Sequence, residues 1–299
     1  MNRRRFLFSS GLALTVSLAP RAFAHPHLKH RDRLAMGTVI FRHRFAQTAS
    51  AKLPYTGEPL TLLDVPGYYQ RRFDLNQVEF WSYHFESLDR GYLVKLRAAL
   101  DIAGSRLINI QIDTDYNLAA EDPARRAASI AEVKRWIDAA VLLGSTSVRA
   151  NPGNGPIENA IASMREVNTY AADHGIVLLN ENHFGIEMDP AVHLRIREEA
   201  GPENLYTLPD FGNYSDDARF DALAKILPYA YLISAKAVRF DAEGNHQPYD
   251  YDRCVQMSEA AGFKGIYSVE QWDRTDHDMD YTHVADWLLQ HTAANLRTS

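Results

Sequence analysis

Short runs of β-branched and aliphatic residues alternate along the chain with longer stretches whose apolar positions recur every three or four residues. This is the alternation expected of a parallel α/β fold. The short runs predict strands at Met36–Phe41, Gln77–Tyr83, Leu107–Asp113, Ser145–Ala150, Ile176–Glu181, Leu205–Pro209, Tyr231–Lys236 and Gly265–Glu270. Between them, residues 128–143 carry Ile130, Val133, Trp136, Ile137, Ala140 and Val141 at the spacing of one buried helical face. Glycine follows four of the helical stretches, at Gly104, Gly144, Gly175 and Gly262, each just before a strand and each reading as an αβ turn. Eight strands with helices between them fit a single-domain α/β fold of the (β/α)8 TIM barrel type. An open dinucleotide-binding sheet has no support, because no G-x-G-x-x-G follows a strand.

In such a barrel the catalytic groups sit where strands give way to the following loops. The polar residues of this chain collect at those places: Glu79, Trp81 and His84 at the second strand, Gln111 and Asp113 at the third, and Arg149 and Asn151 at the fourth. "ENHFG" (181–185) ends the fifth, Asp210 and Asn213 follow the sixth, Lys236 and Arg239 the seventh, and Glu270 and Trp272 the eighth. Period-two alternation puts Val177, Leu179, Glu181 and His183 on one face of the fifth strand.

Glu181, Asp210 and Glu270 have few basic neighbours in sequence. If they converge, each like-charge pair at 4 Å costs on the order of 4 kcal/mol at an effective dielectric of 20. A shared positive centre is therefore expected. Oxygen-rich ligation suits a divalent metal, Mn²⁺ or Mg²⁺, with Zn²⁺ or Co²⁺ if an imidazole joins.

These residues resemble the xylose isomerase-like TIM barrel superfamily of sugar isomerases and epimerases, which also includes type IV apurinic endonucleases. The resemblance covers roughly residues 34 to 291. It implies a metal held by Glu181 in "LLNENHFG", Asp210 in "LPDFGN" and Glu270 in "YSVEQWD", and it matches Glu79 in "QVEFW" to an acid often found after the second strand. The seventh strand departs from the family's H-x-K-x-x-R, because Ser234 stands where the histidine is expected while Lys236 and Arg239 keep their places. Either His183 or water fills the position, or Lys236 supplies the positive charge without a metal.

The resemblance implies proton transfer next to a carbonyl of a sugar or keto-sugar. Glu181 and Glu270 act as acid and base, Lys236 or a metal polarises the oxygens, and Glu79, His183, Asn213, Arg239 and Trp272 contact substrate. Elimination or hydration of keto-glycosides, and a non-catalytic carbohydrate-binding barrel, remain as alternatives.

The chain's start changes where this chemistry is expected. Arg3-Arg4-Arg5-Phe6-Leu7, a short apolar run and Ala22-Phe23-Ala24 resemble a twin-arginine signal peptide spanning residues 1–24, with the barrel occupying 25–299. The apolar run is too short and polar for a membrane span, so a periplasmic or secreted protein is expected, with no membrane attachment after cleavage. The formal net charge is −6. Losing four arginines with the signal leaves 28 basic against 38 acidic residues, or −10, which argues against nucleic acid as a partner. A lone Cys254 excludes an internal disulfide and reads as a core residue. A small carbohydrate is the expected partner, with room left for a homo-oligomer.

Overall fold

Eight parallel strands form the centre of the computed structural model: β1 (Leu34–Gly37), β2 (Gln77–Trp81), β3 (Arg106–Gln111), β4 (Ser147–Arg149), β5 (Val177–Glu181), β6 (Leu205–Leu208), β7 (Leu232–Ala237) and β8 (Ile266–Gln271). The structure describes residues 30–49, 57–241, 244–273 and 279–297. The expected signal segment lies outside the described residues. Among those described, no helix is long and apolar enough to cross a membrane.

Neighbouring strands pair in the order β6-β5-β4-β3-β2-β1-β8-β7. The ring is closed between β6 and β7 by backbone bonds from Tyr231 to Thr207 O (3.2 Å), Ser234 to Pro209 O (3.0 Å) and Phe211 to Ser234 O (3.2 Å). The chain is thus a single-domain (β/α)8 barrel. Its helices are α1 (Val65–Phe73), α2 (Arg90–Ile102), α3 (Pro123–Leu143), α4 (Ile157–Asp173), α5 (Pro190–Ala200), α6 (Arg219–Ile226), α7 (Tyr251–Ala260) and α8 (Tyr281–Asn295).

Two apolar groupings follow from strand alternation. Outward residues such as Val78, Ile110, Val148, Leu178, Ile233 and Val269 pack against the helices. Inward residues Ala35, Ile108, Leu179, Leu208 and Leu232 form a separate plug inside the ring. Above that plug the inner face turns polar, which gathers the buried polar side chains at the carboxyl end of the barrel. A bulge sharpens this change: β2–β3 pairing shifts after Val78–Leu107, so that Glu79 faces Asn109. The extra residue, Ile108, joins the plug, while Asn109 reaches Glu79 at 2.6 Å.

The predicted strands are recovered within a few residues, with two instructive differences. The first strand spans Leu34–Gly37, not Met36–Phe41, because Thr38–Arg44 is a 3-10 segment. Helix α3 begins at Pro123, earlier than the apolar period suggested, because Asp122 caps it by accepting from the N–H groups of Ala124 and Arg125. Val141, expected on the buried face of that helix, is 43% exposed. Gly144 ends the helix at φ 70°, a left-handed conformation that a side chain would strain.

Candidate active site

A cavity of about 370 Å³ opens at the carboxyl ends of the strands, walled by Trp81, Tyr83, Phe184 and Trp272 and floored by polar side chains. Trp81 meets Trp272 edge-on at 5.7 Å and Tyr83 at 5.0 Å. The Arg42 guanidinium lies 4.8 Å from the Trp272 ring centre. Such a mouth offers flat apolar faces above a charged floor, a combination suited to a ring that is apolar on its faces and polar at its edges.

The floor is organised around two cations. Lys236, 4% exposed, places its Nζ 3.3 Å from Glu270 Oε1, 3.5 Å from Asp210 Oδ2 and 3.0 Å from Asn213 Oδ1. Its stem passes over Gly212, where a Cβ would come within 2.9 Å of Lys236 Cδ. Arg149 places Nε 2.9 Å from Glu181 Oε2 and reaches Asp113 with Nη1 at 2.5 Å and Nη2 at 3.1 Å. Trp81 Nε1 donates to the same Asp113 at 2.6 Å.

Each of the three acids is also tied down by further hydrogen bonds. Asp210 Oδ1 accepts from the N–H groups of Gly212 (2.6 Å) and Asn213 (3.0 Å), leaving Oδ2 toward Lys236 without a hydrogen-bond partner. Asn182 fixes that backbone from the neighbouring strand end, accepting from Asp210 N at 2.8 Å and donating to Asp210 O at 3.0 Å. Glu270 Oε2 accepts from Gln111 Nε2 and Ser234 Oγ, both at 3.1 Å. Asn151 Oδ1 accepts from Glu181 N at 3.0 Å.

These surroundings push the acids apart in acidity. Burial raises Glu181 well above the ordinary carboxylate range despite Arg149. Asp210 is also raised by burial, against the pull of Lys236. For Glu270 burial works upward, but Lys236, Gln111 and Ser234 outweigh it and hold the group low. Lys236 is raised despite burial by Asp210 and Glu270, so the ammonium is retained. Burial, with Arg149 adding to it, lowers His183 to about 3 and keeps the imidazole neutral.

The sequence profile of the xylose isomerase-like TIM barrel family matches residues 71–291. The chain belongs to this family. No curated protein matches the chain significantly in sequence. Solved structures resemble it in fold. A xylose isomerase-like TIM barrel protein from Mycobacterium smegmatis, in complex with magnesium, superposes with TM-score 0.62 at 16% identity, covering 89% of this chain and 98% of its own. The 3-keto-D-glucoside 4-epimerase of E. coli gives 0.61 at 16%, covering 86% and 98%. A probable 3-DHS dehydratase from Bacillus anthracis gives 0.59 at 15%, covering 88% and 97%.

Within this xylose isomerase-like barrel, Glu181, Asp210, Glu270 and Lys236 come together as the strand ends predicted, and Asn213 joins them, its Nδ2 lying 3.4 Å from Glu181 Oε1. His183 and Trp272 line the mouth. Two other expected contacts lie elsewhere. Glu79 sits a layer deeper, 1% exposed, accepting from Asn109 Nδ2 and Ser268 Oγ, and burial raises it to about 7. Arg239 is largely exposed and pairs with Asp273 at 3.7 Å, outside the pocket lining. Arg149, Asp113 and Gln111 were not singled out as site residues from the sequence, although Gln111 and Asp113 share the inward parity of Asn109, and Arg149 that of Ser147.

The donor set suits a divalent cation in chemistry. Asp113, Glu181, Asp210 and Glu270 against Arg149 and Lys236 leave two uncompensated negative charges when all are ionised. Glu181 Oε2 and Asp210 Oδ2 are buried oxygens whose near partners are the cations Arg149 (2.9 Å) and Lys236 (3.5 Å). Among the described residues no three His, Cys, Asp or Glu side chains are already spaced as ligands of one ion. Loading one therefore requires these carboxylates to draw together, with Lys236 giving way.

Proposed function

We propose that this barrel is a sugar isomerase or epimerase that moves a proton at a carbon beside the carbonyl of a sugar or keto-sugar. The observation that carries the reading is Lys236, an ammonium within 3.5 Å of both Glu270 and Asp210 on the floor of an aromatic-walled pocket. A ring seated between Trp81 and Trp272 presents its oxygens to that floor. Lys236 stabilises the enediolate oxygen as negative charge develops, an effect strengthened by exclusion of water. Glu270, held ionised, takes the proton; Glu181, kept protonated by burial and anchored by Arg149, returns one from across the barrel. Neutral His183 is suited to orient a hydroxyl. A divalent cation, Mn²⁺ or Mg²⁺ by its preference for oxygen donors, would be held by Glu181, Asp210 and Glu270 and would polarise the same sugar oxygens when bound.

A lyase reading uses the same first step. Glu181, whose pKa burial raises, provides a carboxyl able to protonate a departing hydroxyl, and the B. anthracis structure described above is named a dehydratase. The amino-terminal pattern supports an exported enzyme, for which glycosides are the accessible sugars.

The experiment is deuterium incorporation into keto-sugars incubated with the purified protein in D₂O. Incorporation with retention of the carbon skeleton supports isomerase chemistry, loss of water supports the lyase, and binding without exchange leaves a carbohydrate-binding barrel.

A further inference from the structure

One carboxylate ties together the ends of β2, β3, β4 and β5. Asp113, just past β3, accepts from Trp81 Nε1 of β2 at 2.6 Å and from Nη1 and Nη2 of Arg149 of β4 at 2.5 and 3.1 Å. Its backbone N–H donates to Ser82 Oγ at 2.9 Å. Arg149 in turn stands 2.9 Å from Glu181 at the end of β5. Asp113 lines the pocket, yet both of its oxygens are engaged by protein donors. Burial opposes its ionisation, but the Arg149 guanidinium, with the Trp81 N–H adding to it, holds the group well below the ordinary carboxylate range.

The arrangement restricts what Arg149 can do. A guanidinium and a carboxylate pair best through two parallel N–H bonds. Asp113 takes both Nη groups, so Glu181 Oε2 meets only Nε, in a contact of charge without an aligned hydrogen bond. The other oxygen, Oε1, has Asn213 Nδ2 at 3.4 Å. Glu270 and Asp210 each accept two bonds of 3.1 Å or shorter. Glu181 is therefore the most loosely held carboxyl of the three, which suits a group that must hand a proton to substrate. Without the charge of Asp113, the buried guanidinium is left with the carboxylate already 2.9 Å away, and a bidentate pair there takes both Glu181 oxygens away from the ring.

We infer that Asp113 is a positioning residue for the proton transfer: it occupies the two Nη groups of Arg149, keeps that guanidinium from closing on Glu181, and so leaves the acid facing a ring seated on Trp81. The indole that seats the ring and the arginine that holds the acid share this one acceptor, which fixes seat and acid in a common frame. The inference rests on the proton-transfer reading of the main pocket.

The test compares the full-length parent, Asp113→Asn, Arg149→Gln and the double variant for deuterium wash-in to a keto-sugar, and for calorimetric binding of the same sugar. Asparagine keeps an acceptor for Trp81 but gives up the charge that claims Arg149. Wash-in should fall about tenfold or more in Asp113→Asn, with binding within about twofold of the parent. In the Arg149→Gln background the same substitution should change the rate by less than about twofold, because no guanidinium is left to close on Glu181. That second pair also carries the comparison if Asp113→Asn alone fails to fold: the double variant buries no lone arginine, and in Arg149→Gln the Asp113 side chain is 22% exposed to water. Equal losses in both backgrounds, a loss confined to the Arg149→Gln background, or parental wash-in by Asp113→Asn would overturn the assignment. A loss of binding as large as the loss of rate would do so too, since Asp113 would then act on the seat alone. These outcomes leave the parent's own wash-in intact, whereas a parent that incorporates no deuterium overturns the proton-transfer reading and this inference together.

Discussion

Ser234 donates its hydroxyl to Glu270 Oε2 at 3.1 Å, at the strand position where the family's histidine is expected. The serine therefore steadies one of the three gathered carboxylates instead of providing a nitrogen ligand. The positive charge at their centre is supplied, in this arrangement, by Lys236 two residues further along the same strand face.

Restoring the imidazole should shift that balance. Ser234→His is expected to tighten Mn²⁺ binding by about tenfold or more, as a strong nitrogen donor joins an all-oxygen set. Isothermal titration with Mn²⁺ against the unsubstituted protein checks this. Equal affinities would mean that position 234 does not face the ion.

Lys236→Met removes the ammonium but keeps much of the stem's volume. Asp210 and Glu270 then lose their largest favourable partner, so both should protonate more readily than in the parent. Turnover is expected to fall by about 10²- to 10³-fold if Lys236 stabilises the developing oxyanion. The variant should also lose stability as pH rises, because carboxylates with raised folded-state pKa values cost more once ionised. Kinetics and denaturation measured at several pH values test both parts.

Glu79 offers a cleaner pH signature. Its folded-state value is raised to about 7 by burial, whereas in the unfolded chain it returns to an ordinary carboxylate. Its relative contribution is thus fully present below the unfolded value and is lost as pH climbs through about 7. Glu79→Gln keeps an acceptor for Asn109 and a polar group beside Ser268. Compared with the parent, the variant should gain stability between pH 5 and 8, by on the order of 2–3 kcal/mol. A difference curve that is flat over this range contradicts the placement of a lone buried carboxyl beneath the site.

The barrel was legible because alternation and helical period are local signals repeated around the ring. Leu179 and Glu181 illustrate it: one belongs to the interior plug and the other to the pocket floor, as their shared parity requires. Gly144 marked its turn for an equally local reason. The 3-10 path of Thr38–Arg44 was not legible, since its apolar residues read equally well as a strand continuing past Gly37.

At the site, sequence position showed which acids stand at strand ends but not their depth or their partners. Glu79 looked like Glu181 in sequence, yet the β2–β3 bulge sets it against Asn109 below the pocket. Arg239 looked like Lys236, yet it lies past the end of β7 and turns outward to Asp273. Arg149 carried a usable signal in its inward parity with Ser147, but its role depends on meeting Asp113 and Glu181 from two other strand ends. Such pairings are set by the closure of the ring. His84, which also stands at a strand end in sequence, is buried instead of facing the pocket, stacked on Phe45 at 3.7 Å and bonded to Thr38 and Thr48.

The most direct test of the central claim is the rate of deuterium wash-in to a keto-sugar by Glu181→Gln and Glu270→Gln beside the parent, with melting temperatures measured in parallel. Each variant should lose about 10²-fold or more in exchange rate while remaining folded. Exchange at near-parental rates in either variant would contradict the claim that these two carboxyls move the proton.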